Sequence, residues 1–434
     1  MNIVLLSGGS GKRLWPLSND VRSKQFIKMF KKPDGSYESM VQRVYRQIKE
    51  VSPDSSVTVA TAKTQVSAIH NQLGEDVGVS VEPARRDTFP AIALATAYLH
   101  DVQGLSEDEV VIVCPVDPYV ESDYFAALLD LERMAKEGKS NLTLMGMEPT
   151  YPSAKYGYIM VNPKDLTQVD SFKEKPDEQT AEKYIASGAL CNGGIFAYKI
   201  GYVLDIARKL LSYTTYQDLY DRYDTLEKIS FDYAVVEKES KIRVMKFSGS
   251  WKDVGTWNTL AEVMDEPTIG DVRCNDTCDD INVINDLDVP VVCMGIKNMI
   301  VAASPEGILV SDKHESSFIK PFVDKIDQDI RFAEKSWGTY AVIDVEEGSL
   351  TVKVTLNASH EMHYHKHERR AEVWTIVSGE GEVLLDGVSK SVRAGDVVEI
   401  PVGVPHKLVA ITDLVAIEVQ VGTDISVSDK IKLD

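Results

Sequence analysis

From the first residue to about Leu260, short apolar runs alternate with segments of helical spacing, and few folds accommodate that alternation. The runs NIVLLS, VTVAT, VGVSVEP and VVIVCPVD are brief and rich in β-branched residues, as strands covered on both faces are. Between them, residues 37–51 carry Met40, Val41, Val44, Tyr45, Ile48 and Val51 at helical spacing. The reading is an α/β fold with a mostly parallel sheet and helices on both faces. Ligands in such sheets bind beyond the carboxyl ends of the strands. The first strand leaves through SGGSGKRLWPLSNDVRSKQF and VVIVCPVD ends at Asp117, so both fall where a site is expected.

A chain of 434 residues exceeds what one core usually serves, so two or three domains are expected. From residue 266 to about 328 the texture changes to the short pieces INVIND, VPVVCMG, NMIVAAS and GILVSD, read as a small β connector. From 329 to 434 regular short strands separated by turns at Glu347-Gly348, Gly379-Glu380-Gly381 and Asp386-Gly387 suggest a small β-barrel or jelly roll. A net charge of -20 opposes binding to nucleic acid or an anionic membrane, which makes the basic loop a local feature. The apolar runs are too short to cross a bilayer, and the start lacks a basic n-region and cleavage site. A cytoplasmic protein is expected. Its five cysteines are odd in number and sparse, and are read as free thiols.

The opening loop brings glycines and cations together. Glycines let backbone N–H groups approach an anion, and Arg13 and Lys24 flank the loop. A glycine turn alone equally serves plain structure. Here it is accompanied by Asp117 at a strand end and by Asp253 in WKDVGTW, and two loop carboxylates with cations and free donors suit Mg²⁺-assisted phosphoryl or nucleotidyl transfer.

These segments resemble the mannose-1-phosphate guanylyltransferases, within the sugar-1-phosphate nucleotidyltransferase family. SGGSGKRLWPLS with KQF resembles the signature loop, EPARRDTFPAIALA the base-recognition segment, and GMEPTYPSAKYGYI, FKEKPD and NGGIF the sugar-phosphate side. ISFDYAVVEK and WKDVGTW resemble the segments that close the site. The resemblance implies a Rossmann-like nucleotidyltransferase domain over residues 1–265, using GTP, mannose 1-phosphate and Mg²⁺. It implies that Gly8, Gly9, Ser10 and Gly11 cradle the triphosphate, with Glu82, Arg86 and Thr88 on the nucleotide. Arg13 and Lys24 would stabilise phosphate charge, and Asp117 and Asp253 would hold Mg²⁺. Gly157, Glu174, Lys175 and Asn192 would hold the sugar phosphate. Three departures stand out: Lys12 for the usual Thr, Asp87 for Asn, and Pro118 where His is usual. Base and sugar selectivity therefore stay open.

The last region holds MHYHKHERRAEVW and GDVVEIPVGVPH. His360, His363, His365 and His367 fall within eight positions. On a strand, His365 and His367 point to one face, and Glu372 and His406 complete a three-His, one-carboxylate set suited to zinc, manganese, iron or nickel. The spacing H-x-H-x4-E with G-x5-P-x-G-x2-H fits the cupin motifs. SWGTY, RAE and VSGEGEV further resemble the bifunctional type II enzymes, whose cupin interconverts mannose 6-phosphate and fructose 6-phosphate, although His365 stands where those usually carry Gln. A transferase with another nucleotide or sugar, a cupin isomerase on a scaffold, and a sugar-nucleotide sensor remain the rival functions. Homo-oligomerisation through the cupin or connector is left open.

Overall fold

The computed structural model describes residues 1–9, 12–19, 21–423 and 425–433. Contacts divide the chain into two units, Met1–Ser10 with Gln25–Asp265, and Gly11–Lys24 with Glu266–Asp434. Among the described residues no helix is long and apolar enough to cross a membrane.

The first unit is built on a nine-stranded sheet in the order Gly78–Glu82, Ser56–Ala62, Asn2–Leu6, Val110–Pro115, Leu190–Lys199, Leu142–Met147, Ile242–Phe247, Asp165–Lys173, Tyr158–Asn162. The first four run parallel, as their continuous apolar sequences imply. The sheet as a whole is mixed, because Leu190–Lys199 lies antiparallel to both its neighbours and the far edge is an antiparallel hairpin. The strand DLTQVDSFK of that hairpin, paired on both sides, buries only Val169, so its polar residues belong to a half-exposed part of the sheet.

The helix expected at 37–51 begins at Met40, because Ser39 caps it and closes a capping box with Gln42, a cap worth about 1 kcal/mol. Its apolar stripe buries Met40, Val41, Val44 and Ile48. Helix Thr88–Ala97 is buried on every side and is capped by Asp87, whose carboxylate accepts from Thr88 N at 2.7 Å. Asp87 has φ 69° and ψ -178°, a backbone conformation that residues with a side chain rarely adopt.

In the second unit, Thr268–Ile269, Asp279–Asn285 and Lys297–Ser304 stack in parallel, and Gly307–Asp312 folds back on the last of them. Val272–Cys274 pairs in parallel with Val291–Cys293, and from Phe332 onward the strands form two antiparallel sheets, of six and five strands, around Trp337, Val352, Val354, Leu356, Trp374, Leu408 and Leu414. The Asp386-Gly387 turn joins Glu380–Leu385 to Val388–Arg393 with φ of 43° and 79°, the two left-handed residues a tight hairpin requires.

Candidate functional site

Two adjacent parallel strands carry the loops that matter most in the first unit. Leu6 and Pro115 are register partners, so the glycine loop and Asp117 leave the sheet at the same end. Gly9 has φ 126°, a conformation that favours glycine, and a Cβ at Gly8 or Gly9 would meet nothing within 4 Å. Behind the loop, Gln25 Nε2 donates to Ser7 O and Ser7 Oγ, both at 3.0 Å. Ser10 and Gly11 lie outside the described residues. After Asp117, Pro118–Val120 pairs antiparallel with Trp251–Asp253, and Asp253 is opposite Pro118. Asp253 is thus brought opposite the residue that follows Asp117, across more than half of the domain's length.

The sugar-side residues also gather. Asn192 N donates to Gly157 O at 2.8 Å, and Lys175 N donates to Tyr156 O at 3.2 Å. Lys175 Nζ pairs with Glu174 Oε1 at 2.7 Å, while Glu174 Oε2 is buried with no hydrogen-bond partner among the described residues. Leaving such an acceptor unmet costs about 1–3 kcal/mol, which marks a place prepared for a donor. A Cβ on Gly157 would stand 2.5 Å from that oxygen. Asn192 Nδ2 donates to Asp232 Oδ1 at 2.7 Å, and Asn192 Oδ1 accepts from Gly194 N at 3.1 Å. Burial, then the nearby Glu174 charge, pushes the Asp232 carboxyl up to about 7, so near neutrality it can donate as well as accept. The ring of Tyr156 meets that of Trp251 at 5.9 Å, tying this pocket to the strand that ends at Asp253.

On the nucleotide segment, Glu82 ends its strand and accepts from Tyr223 Oη at 2.9 Å; burial raises its pKa. Thr88 Oγ1 accepts from Phe231 N at 2.8 Å, which fixes the backbone next to Asp232. The Arg86 Nε is buried with no partner among the described residues. Arg13 and Lys24 lie in short helical turns, Lys12–Leu14 and Lys24–Phe26, and count with the second unit.

In the second unit, His365 and His367 alternate inward on one strand and His365 is the register partner of His406. Their ligand nitrogens all lie within 4.8 Å of one another. Each Nδ1 faces a carbonyl: His365 with His363 O at 2.7 Å, His406 with Val404 O at 2.8 Å, and His367 with Asp429 O at 3.2 Å. A carbonyl only accepts, so each Nδ1 carries a proton and each Nε2 is the nitrogen turned into the cluster. The Nε2 of His367 and of His406 stand 2.9 and 3.3 Å from the two Glu372 oxygens, and burial pushes His365 down to about 3. Three imidazole Nε2 atoms around a carboxylate are a ligand set that suits a divalent cation, which would replace the protons shared with Glu372. His360 lies outside this cluster, its Nδ1 opposite Ala358 O at 2.9 Å, and His363 offers its backbone carbonyl to His365.

The model of the family described as nucleotidyl transferase matches residues 2–268, and that of the cupin domain matches residues 350–420. The chain belongs to the nucleotidyl transferase family. An alginate biosynthesis protein of Pseudomonas putida is 30% identical over 93% of this chain and 89% of its own length. A mannose-1-phosphate guanylyltransferase of Salmonella montevideo is 28% identical over 93% of this chain and 92% of its own. Among solved structures, a protein from Thermus thermophilus titled mannose-1-phosphate geranyltransferase covers 75% of this chain and 99% of that one, at 28% identity and a TM-score of 0.62.

In this nucleotidyltransferase the residue that sequence reasoning passed over is Asp232. It sits in the segment ISFDYAVVEK, on a four-residue helix capped by Ser230. Nothing in the spacing separates it from a surface carboxylate. Only the fold, by turning that helix against Asn192, half-buries it near Glu174.

Proposed function

We propose that this nucleotidyltransferase makes GDP-mannose and pyrophosphate from GTP and mannose 1-phosphate. The observation that carries the reading is the ladder that sets Asp253 opposite Pro118, beside Asp117, at the strand end the glycine loop also leaves. The length over which the chain follows guanylyltransferases supports the same substrates. Asp117 and Asp253 would hold Mg²⁺, which supplies charge neutralisation between the two phosphates when bound. A phosphate oxygen of mannose 1-phosphate attacks the α-phosphorus of GTP, and the bond to the β-phosphate breaks to release pyrophosphate. That oxygen is already ionised, so no general base is needed. The backbone donors of Gly8 and Gly9 would hold the triphosphate, and Arg13 and Lys24 would meet the charge that grows on the leaving group. Glu174 Oε2, Asn192 and Asp232 offer hydrogen bonds to sugar hydroxyls, and Lys175 a cation to the sugar's phosphate.

A panel of nucleoside triphosphates against hexose 1-phosphates, read as pyrophosphate release, tests the proposal; preference for any other pair would replace it. Gly157→Ala is expected to raise the KM for mannose 1-phosphate about tenfold or more while the KM for GTP stays nearly unchanged, because the new methyl displaces Glu174. Equal effects on both substrates would remove Gly157 from the sugar side.

The histidine geometry favours a second centre in the cupin. His365, His367, Glu372 and His406 would hold one divalent transition-metal ion, and interconversion of mannose 6-phosphate with fructose 6-phosphate is the activity to assay there. Elemental analysis of protein purified without chelator is expected to find about one ion per chain, lost in His406→Ala while GDP-mannose synthesis persists. Metal-free wild-type protein would leave the cupin a packing module.

A further inference from the structure

The roles assigned above leave one buried carboxylate unused. Glu306, at 7% exposure, follows strand Lys297–Ser304 of the connector. Its Oε1 accepts from Asn19 Nδ2 at 2.8 Å, from Phe332 N at 2.9 Å and from Arg331 N at 3.0 Å. A carboxylate taken out of water is tolerated only when donors satisfy it, and hydrogen bonds to it are among the stronger kind. Its own backbone N–H donates to Ser304 Oγ at 3.1 Å, and that hydroxyl donates to Pro16 O at 2.6 Å.

The partner, Asn19, organises the turn between the two cations of the signature loop. Its Oδ1 accepts from Val21 N at 2.8 Å and Arg22 N at 2.6 Å, and its Nδ2 also donates to Phe332 O at 3.0 Å. On one side of this turn the Trp15 ring lies so close to Gly307 that a Cβ there would be 2.5 Å from it. On the other, Arg22 Nη1 pairs with Asp286 Oδ2 at 2.7 Å and its guanidinium covers the Phe332 ring at 4.9 Å. Side chains far along the chain thus hold this loop, and Glu306 joins Asn19 to the backbone of Arg331 and Phe332.

We propose that Glu306 is a positioning residue for nucleotidyl transfer: through Asn19 it sets the turn that separates Arg13 from Lys24. The proposal rests on the transferase reading above. It gives the connector a task in the chemistry of the loop, beyond joining two domains, and it makes the turn answer to Phe332, the first residue of the strand Phe332–Lys335 that opens the cupin sheets.

Full-length wild type, Glu306→Ala, Glu306→Gln, Asn19→Ala and the double variant Asn19→Ala/Glu306→Ala are compared for pyrophosphate release from GTP and mannose 1-phosphate, with thermal melts alongside. Each alanine variant is expected to lower kcat by about tenfold or more with KM changing by less than about threefold. Glu306→Gln, which still accepts from Asn19, should recover most of the rate. Because the two residues act through one bond, the double variant should be little worse than the poorer single variant. Wild-type kcat in either alanine variant overturns the proposal, as do losses that multiply in the double variant. Should Glu306→Ala not fold, wild-type kcat in Asn19→Ala remains sufficient to overturn it. A purely structural role would lower the melting temperature and leave kcat per folded molecule intact. Inactive wild-type protein would overturn the transferase reading itself, whereas active wild type with fully active variants overturns only the role of Glu306.

Discussion

Asp253→Asn is expected to reduce pyrophosphate release by about a thousandfold or more in a protein that still folds. The side chain is exposed at the end of a three-residue strand, and Asn matches its shape, so the ladder with Pro118–Val120 loses no backbone bond. What is lost is one negative charge from the pair that would hold the divalent cation. Two carboxylates bind such an ion far better than one carboxylate and one amide, and phosphoryl chemistry depends on charge neutralisation more than on covalent help from the protein. Circular dichroism should report an unchanged melt, and the Mg²⁺ concentration for half-maximal rate should rise. Near-normal turnover from a folded Asp253→Asn protein would take Asp253 out of the site and leave Asp117 without its partner.

Lys24→Ala should lower kcat by about a hundredfold or more, with a much smaller change in the KM for GTP. The argument is one of timing. Charge on the departing pyrophosphate grows as the reaction proceeds, so a cation placed to meet it stabilises the transition state more than the bound substrate. Arg13→Ala should behave in the same direction. A change confined to KM would mean that these cations gather substrate without taking part in the chemistry, and steady-state kinetics over a range of GTP concentrations separates the two outcomes.

Much of this was legible before any coordinates. The four connector pieces became Asp279–Asn285, Val291–Cys293, Lys297–Ser304 and Gly307–Asp312, and the parallel strands of the first unit appeared where continuous apolar runs stood. The histidine spacing also held its meaning. Residues two apart on a strand share a face, so His365 and His367 turn inward together. The mixed character of the large sheet was less legible, because the apolar content of Leu190–Lys199 does not state its direction relative to Val110–Pro115 and Leu142–Met147, to both of which it is antiparallel.

The sequence by itself determined the local alphabet of this protein: which segments become strands and helices, where the glycine loop opens, and that two histidines point one way. These are properties of short periods and of single residues, such as Ser39 as a cap or Gly387 in a left-handed turn. The tertiary structure alone decided which distant groups meet. Asp253 came to lie opposite Pro118, the residue after Asp117, half-buried Asp232 came to bond Asn192, and Asn19 found Glu306 across 287 positions. No period links such pairs. They are chosen by how sheets stack and which surfaces are buried together, and a carboxylate's chemistry depends on that: desolvation, then the nearby Glu174 charge, pushes Asp232 up to about 7, although its bond from Asn192 pulls the other way.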